Sequence, residues 1–162
     1  WKGVSIHHAG WMVAAFEISG IVGMLVAGWA TDRFFGGRGP RVCVICMALA
    51  TVFVALFWGI SQPPMWLATL LLGAAGFCIY GPQALVGIAA ANIATKKAAA
   101  TAVGFTGLFG YASTLVSGWG LGLLAQHYGW NIAVGALILI AIMGTLIFMA
   151  AWSAKANGYD ND

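Results

Sequence analysis

The chain has 162 residues, of which 62% are hydrophobic and only 7% are charged. A water-soluble domain carries about 25% charged residues, so the polar side chains of this sequence cannot cover a soluble globule. The same composition excludes intrinsic disorder, and three cysteines inside apolar stretches exclude a secreted disulfide scaffold. The composition therefore indicates an integral membrane protein.

Five apolar stretches are long enough to cross a bilayer as helices, which requires about 20 residues each. We predict these spans at about 11–31, 42–60, 65–93, 98–125 and 132–152. None of them alternates apolar and polar residues with a period of two, so a β-barrel is not expected. The predicted fold class is all-α, with five transmembrane helices. Glycines at helix-packing spacing, densest in the first, third and fourth spans, predict close contacts between these helices.

The basic residues lie almost entirely in alternate loops. Six of the seven fall on one side of the predicted membrane, namely Arg33, Arg38, Arg41, Lys96, Lys97 and Lys155. Only Lys2 lies on the other side, and Lys and Arg are enriched in cytoplasmic loops. We therefore expect the N-terminus of this sequence outside and its C-terminus in the cytoplasm. This scattered distribution does not form the single basic face that nucleic-acid binding requires.

The number of spans is odd, whereas transporters are usually built from repeats. The sequence also starts at Trp1 rather than at a methionine. We expect at least one preceding span, and the alternative is a genuine five-helix protein.

Glu17 lies about six residues into the first span, roughly 9 Å below the outer boundary by helix rise. A carboxylate at this depth costs about 2.5–3.5 kcal/mol and normally faces a protein interior or a watery pathway. The alternative is a carboxylate that is hydrogen-bonded within the bundle for structural reasons. No Lys, Arg or His lies at its depth, so any cationic partner is expected outside this sequence.

Two tyrosines are predicted in the middle of the membrane. Tyr80 shares one face of the third span with Gln83, and Tyr111 shares one face of the fourth with Thr114. A buried phenol needs a hydrogen-bond partner, which is either a polar ligand or the backbone of a neighbouring helix. The adjacent Gly81 and Pro82 predict a kink or a local opening in the third span.

Other polar patterns do not indicate chemistry. Cys43 and Cys46 have the spacing of a thiol pair but no second pair, and His7 and His8 have no third ligand beside them. The sequence contains no phosphate-binding loop, nucleophile elbow or paired catalytic carboxylates. We expect neither an enzyme nor a cofactor.

The loop after the first span reads Gly28-Trp-Ala-Thr-Asp32-Arg33-Phe-Phe-Gly36-Gly37-Arg38-Gly-Pro-Arg41. It resembles the signature loop of the major facilitator superfamily, which joins helices two and three and again helices eight and nine. Asp32 can accept hydrogen bonds from a neighbouring helix N-terminus, while Arg33 and Arg38 hold the cytoplasmic helix ends together. Such a gate loop would stabilise the outward-facing state and open in the inward-facing one. The alternative, a loop that only sets topology, explains the arginines but not Asp32.

Two segments are more specific: residues 79–87, IYGPQALVG, and residues 96–111, KKAAATAVGFTGLFGY. They look like the organophosphate:phosphate antiporters, the family of bacterial glycerol-3-phosphate and hexose-phosphate carriers. The resemblance covers nearly the whole chain and aligns it with helices eight to twelve of a twelve-helix fold. Residues 1–162 are then part of the C-terminal six-helix half of such a carrier, with Ala100 standing where the family often has glycine.

The resemblance implies an antiporter that exchanges a phosphorylated small metabolite for inorganic phosphate by alternating access. In the family two arginines from helices one and seven bind the phosphate, and neither helix is in this sequence. Glu17 matches the family's helix-eight carboxylate, and Tyr80 and Tyr111 match tyrosines that line the substrate cavity. These three are the predicted substrate-binding residues. A monomer in the bacterial inner membrane is also implied.

Two other functions stay open at this point. The Gly-Pro-Gln segment and the following LVGIAAA also resemble the sensor branch of the family, in which a carrier-like protein detects external hexose phosphate and activates a membrane histidine kinase. Because that branch keeps the fold and the binding site, the sequence does not separate a carrier from a sensor. The third alternative is a structural or channel-forming bundle without an anion site.

Overall fold

The computed structural model describes residues 5–94 and 97–154. Its five α-helices are α1 (Ile6–Phe35), α2 (Gly39–Gly59), α3 (Met65–Ile93), α4 (Ala99–Tyr128) and α5 (Trp130–Ala150). All five are long and apolar enough to cross a membrane, and the described residues contain no strand. The all-α prediction is therefore confirmed. Lys2, Lys96 and Lys155, which contributed to the predicted orientation, lie outside the described residues.

The helix ends follow local backbone chemistry rather than hydropathy alone. The helix α1 begins before the predicted span because the Ser5 side chain accepts a hydrogen bond from the His8 N–H. It ends at Gly36, whose φ of 57° is a left-handed conformation that favours glycine. The helix α5 lies two residues earlier than the predicted 132–152, since Gly129, with a φ of 85°, already starts the helical turn.

The helix α3 is the centre of the bundle and packs most extensively against α1 and α2. Where α1 and α3 cross, Gly23 lies against the Phe77 carbonyl and Gly76 against the Phe16 carbonyl, and neither position has room for a Cβ. Lipid provides no hydrophobic drive between helices, so such close approach is what holds them together. The predicted packing role of the glycines is confirmed at this interface.

The glycines of α4 behave differently. A Cβ at Gly104, Gly107 or Gly110 would meet no atom within 4 Å, and no residue of α4 is buried among the described residues. The close packing predicted for the glycines of the fourth span is therefore not seen in the part of the chain that the structure describes. The helix borders α3 and α5 along a limited contact and leaves its remaining surface open.

The Gly81–Pro82 segment does not interrupt α3, which runs without a break from Met65 to Ile93. Both residues are buried, and a Cβ on Gly81 would lie 2.9 Å from the Ala27 Cβ and 3.5 Å from the Cys46 Sγ. Proline has no N–H, so the Cys78 carbonyl loses its usual helical donor. A backbone with a missing hydrogen bond is tolerated at membrane depth where it borders on protein or on a wet cavity. The Gly81–Pro82 segment borders on protein, from α1 and α2.

Candidate functional site

Glu17 on α1 and Tyr80 on α3 form a direct hydrogen bond, in which the Tyr80 hydroxyl donates to Oε2 of Glu17. The close crossing of the two helices brings them together. Gly20, which follows Glu17 by about one turn, packs against the Tyr80 ring, and a Cβ there would lie only 2.7 Å from it. The Phe16 ring lies edge-on to the Tyr80 ring, with 5.9 Å between the ring centroids.

This pair gives the membrane-embedded carboxylate a neutral donor. A hydrogen bond to an ionised group is stronger than one between neutral groups, so it offsets part of the cost of placing Glu17 at this depth. A phenol has a single proton, so Tyr80 donates either to Glu17 or to a ligand, not to both at once. Among the described residues, Glu17 is exposed and Tyr80 is half-buried.

A second polar feature is a cleft of about 540 Å³ between α3 and α4, which we call the α3–α4 cleft. Its polar lining comes from Gln83, Thr106, Tyr111, Ser113 and Thr114. Known small-molecule sites occupy about 300–1,000 Å³, so the volume suits a small metabolite.

The structure divides the three predicted substrate residues into two groups. Glu17 and Tyr80 are hydrogen-bonded to each other, whereas Tyr111 lies in the α3–α4 cleft with 78% of its surface exposed. Gln83, three residues after Tyr80 on α3, lines the same cleft as Tyr111. Sequence reasoning placed Gln83 on the face of Tyr80 but did not select it as a site residue, because nothing local showed that α4 would stand opposite.

The gate-loop residues Asp32, Arg33 and Arg38 are placed at the end of α1 and the start of α2. Asp32 lines a small cavity of about 120 Å³ together with Thr31 of α1 and Asn92 of α3. Within residues 5–94 and 97–154, Asp32, Arg33 and Arg38 make no ion pair or hydrogen bond through their side chains. Their predicted gating contacts therefore remain a prediction.

A different arginine of this loop makes the contact between helix ends. The Arg41 Nε donates to the Trp152 carbonyl at 3.4 Å, and its guanidinium lies 5.4 Å from the centroid of the Trp152 ring. This cation–π contact joins the start of α2 to the turn that follows α5. The sequence contained no signal for this pairing, since the two residues are 111 positions apart.

The part of the chain that the structure describes has no cluster of three or more His, Cys, Asp or Glu side chains that could bind a metal ion. Cys43, Cys46 and Cys78 are free thiols inside α2 and α3.

Comparison with known proteins identifies the fold family. Residues 2–158 match the Major Facilitator Superfamily. The chain belongs to this superfamily. With five apolar helices of spanning length, it is a multi-pass membrane protein.

Similarity to individual proteins confirms the resemblance to organophosphate carriers. A probable hexose phosphate transport protein of Chlamydia pneumoniae is 39% identical over 147 residues, which cover 90% of this chain and 32% of that protein. The hexose-6-phosphate:phosphate antiporter of Escherichia coli is 36% identical, over 83% of this chain and 30% of that protein. The membrane sensor protein UhpC of Salmonella typhimurium is 32% identical, over 95% and 35% respectively. Glycerol-3-phosphate transporters also match, at 33% identity. The chain spans about a third of the length of the curated relatives it matches.

Proposed function

We propose that this chain is part of a secondary transporter that exchanges a phosphorylated metabolite, a sugar phosphate or glycerol-3-phosphate, for inorganic phosphate by alternating access. The observation that carries the proposal is the hydrogen-bonded Glu17–Tyr80 pair inside two helices of membrane-spanning length. Polar groups at membrane depth normally face a substrate pathway rather than lipid. The superfamily moves small molecules by such a pathway, and its matching members include named phosphate-ester carriers. The protein is on this reading a carrier and not an enzyme.

The three predicted residues have different roles in this mechanism. The Tyr111 hydroxyl donates a hydrogen bond to a bound ester, since phosphate and sugar oxygens accept such bonds. The Tyr80 hydroxyl does the same in exchange for its hydrogen bond to Glu17, because it has one proton to donate. Glu17 repels a phosphate anion directly, so it acts through Tyr80 and through a network of charges. The cations that bind the phosphate come from helices that precede this sequence, as the family resemblance implies. Arginine suits that role because its planar fork binds phosphate oxygens in pairs.

The proposed topology places α1 to α5 as helices eight to twelve of a twelve-helix carrier in a bacterial inner membrane. Arg33 lies in the last turn of α1, Arg38 between α1 and α2, and Arg41 in the first turn of α2. Lys97 lies between α3 and α4, so these four residues share one side. The short connections on the other side, residues 60–64 and Gly129, have no Lys or Arg. The positive side is the cytoplasmic one, which puts the start of α1 outside, the end of α5 inside and the gate loop in the cytoplasm. The carrier works as a monomer.

The test uses the full-length protein that contains this chain, purified and reconstituted into liposomes loaded with inorganic phosphate. External radiolabelled phosphate should exchange with internal phosphate, and external glucose-6-phosphate should release the internal phosphate. Liposomes without protein measure the leak. Exchange at the protein-free rate would refute the proposal.

The length of the native protein is a second and simpler test. Reading the coding frame upstream of Trp1 should show seven further spans, with an arginine at membrane depth in the first and in the seventh. A native start near Trp1 would remove the phosphate-binding cations, and transport by this chain alone would then fail.

The second candidate is a sensor of external hexose phosphate that signals to a histidine kinase. It is favoured by the similarity to UhpC, which extends over 95% of this chain. A sensor would bind glucose-6-phosphate, show little flux in liposomes and copurify with a kinase. Rapid flux without a copurifying kinase would exclude it.

A further inference from the structure

Two arginines lie close together at the start of α2. The Arg41 N–H donates a hydrogen bond of 3.2 Å to the Arg38 carbonyl, so one turn of backbone separates the two side chains. Both side chains are partly exposed. The Arg38 guanidinium makes no hydrogen bond or ion pair within residues 5–94 and 97–154. The start of α2 therefore presents positive charge that the described part of the chain does not neutralise.

Trp152, in the turn after α5, fixes the orientation of one of these arginines. The Arg41 Nε donates to the Trp152 carbonyl at 3.4 Å, and the guanidinium lies 5.4 Å from the centroid of the Trp152 ring. A guanidinium has five N–H groups, and this contact uses only the one on Nε. The N–H groups on the two Nη atoms have no acceptor within residues 5–94 and 97–154. Arg41 is thus already oriented for a ligand, which lowers the entropy lost on binding.

The lengths of α2 and α5 place these residues at the boundary of the hydrocarbon core. Each helix has 21 residues. At a rise of about 1.5 Å per residue this gives about 32 Å, close to the core thickness of about 30 Å. Arg41 is the third residue of α2, and Trp152 follows the end of α5 by two residues. Both therefore lie at the level of the lipid headgroups, where tryptophan is enriched.

The charges around this position favour an anion. Arg33, in the last turn of α1, adds a third cation on the same side of the membrane. Asp32 is the one carboxylate at this end of the bundle within residues 5–94 and 97–154. It lines the small cavity towards α3, and neither Arg38 nor Arg41 lines that cavity. Arginines at a membrane surface attract anionic lipids more strongly than neutral ones.

We propose that Arg38, Arg41 and Trp152 form a binding site for the headgroup of an anionic phospholipid, which we call the α2–α5 headgroup site. The phosphodiester oxygens accept hydrogen bonds from the Arg41 Nη groups and from Arg38, because a planar guanidinium binds phosphate oxygens in pairs. Free phosphate has the same oxygens, but the bilayer already holds a lipid phosphate at the depth of these arginines. The inference goes beyond the proposed function, since it holds whatever the protein transports.

The experiment titrates phosphatidylglycerol into the full-length protein in a neutral detergent and measures the tightest lipid binding by native mass spectrometry. Phosphatidylcholine, which has a phosphodiester but no net charge, is the reference lipid and should bind more weakly. Arg38→Gln and Arg41→Gln should each weaken phosphatidylglycerol binding about fivefold, the effect of one arginine at an anionic membrane surface. The matched control is Lys97→Gln, which removes one positive charge between α3 and α4 and should bind as wild type does.

Two variants separate an oriented site from a general effect of charge. Arg41→Lys keeps the charge but lacks the planar fork, so it should bind phosphatidylglycerol less tightly than wild type. Trp152→Leu keeps both arginines and removes the ring under Arg41, which should weaken binding about twofold to fivefold. Arg38→Gln covers the case in which a change at the α2–α5 contact impairs folding, because Arg38 makes no side-chain contact there.

Equal affinity of the wild-type protein for the two lipids would overturn the inference. So would binding of phosphatidylglycerol by Arg38→Gln and Arg41→Gln that is as tight as by Lys97→Gln. Displacement of the lipid by excess inorganic phosphate would mean a site for free anions instead. Binding that requires removal of residues 155–162, which include Asp160 and Asp162, would mean that this acidic segment occupies the arginines, and the proposal would fail.

Discussion

Replacing Gly20 by alanine tests whether the Tyr80–Glu17 hydrogen bond matters for transport without touching either residue. The new Cβ would lie 2.7 Å from Cγ and Cδ2 of Tyr80, whereas ordinary contact begins at 3.4 Å. The ring must therefore retreat by about 0.7 Å. The overlapping atoms, Cγ and Cδ2, lie near the root of the tyrosine side chain, and the Phe16 ring lies edge-on to the same ring.

The expected size of the effect follows from this displacement. A hydrogen bond to a charged group contributes about 1.5–3 kcal/mol, and a shift of this size removes much of it. A misplacement of about 1 Å in a binding site can lower a rate by up to roughly 100-fold. We therefore expect Gly20→Ala to slow phosphate exchange by at least about tenfold while the protein still inserts and folds.

The assay is initial-rate exchange of radiolabelled phosphate by the full-length protein in liposomes, normalised to the reconstituted protein. Gly10→Ala is the matched control, because nothing lies within 4 Å of a Cβ at that position of the same helix. Tyr80→Phe should reproduce the defect, and Gly20→Ala combined with Tyr80→Phe should be no worse than the more impaired single variant. Exchange by Gly20→Ala at the rate of Gly10→Ala would show that the hydrogen bond is dispensable.

Three further variants test separate parts of the interpretation. Glu17→Gln keeps an oxygen that accepts the hydrogen bond from Tyr80, so we expect an unchanged melting temperature. Phosphate exchange should be at least about tenfold slower, because the network loses a charge. Normal exchange would mean that the carboxylate has only a structural role. Tyr111→Phe removes only the hydroxyl and should raise the half-saturation concentration for glucose-6-phosphate about threefold to tenfold. An unchanged half-saturation concentration would mean that Tyr111 serves only to pack the helices. Gly23→Ala places a Cβ against the Phe77 carbonyl, so α1 and α3 must separate at a cost of about 1–3 kcal/mol. The melting temperature of Gly23→Ala in detergent should fall by several degrees relative to that of Gly10→Ala, and equal values would contradict the close crossing.

The sequence by itself determined the class of the protein and the number of its spans. The thickness of the bilayer sets the length of an apolar stretch that can cross it. This length is a local property of the sequence and can be read from composition and hydropathy alone. The span at 65–93 therefore coincides with α3, and the other four spans differ from their helices only at the ends, where caps such as Ser5 and Gly36 act. Glu17 also stood out from the sequence, because a carboxylate inside an apolar run needs no structure to be noticed.

Tertiary structure decided which residues meet. Glu17 and Tyr80 are 63 positions apart, and Gln83 and Tyr111 face one cleft from different helices. In a soluble protein, an apolar stripe in the sequence of a helix shows which face is buried. In this protein the lipid and the protein interior are both apolar, so no such stripe distinguishes the face that packs against another helix. What selects the partner face is instead the fit of backbones at Gly23 and Gly76, and that fit exists only once α1 and α3 are packed together.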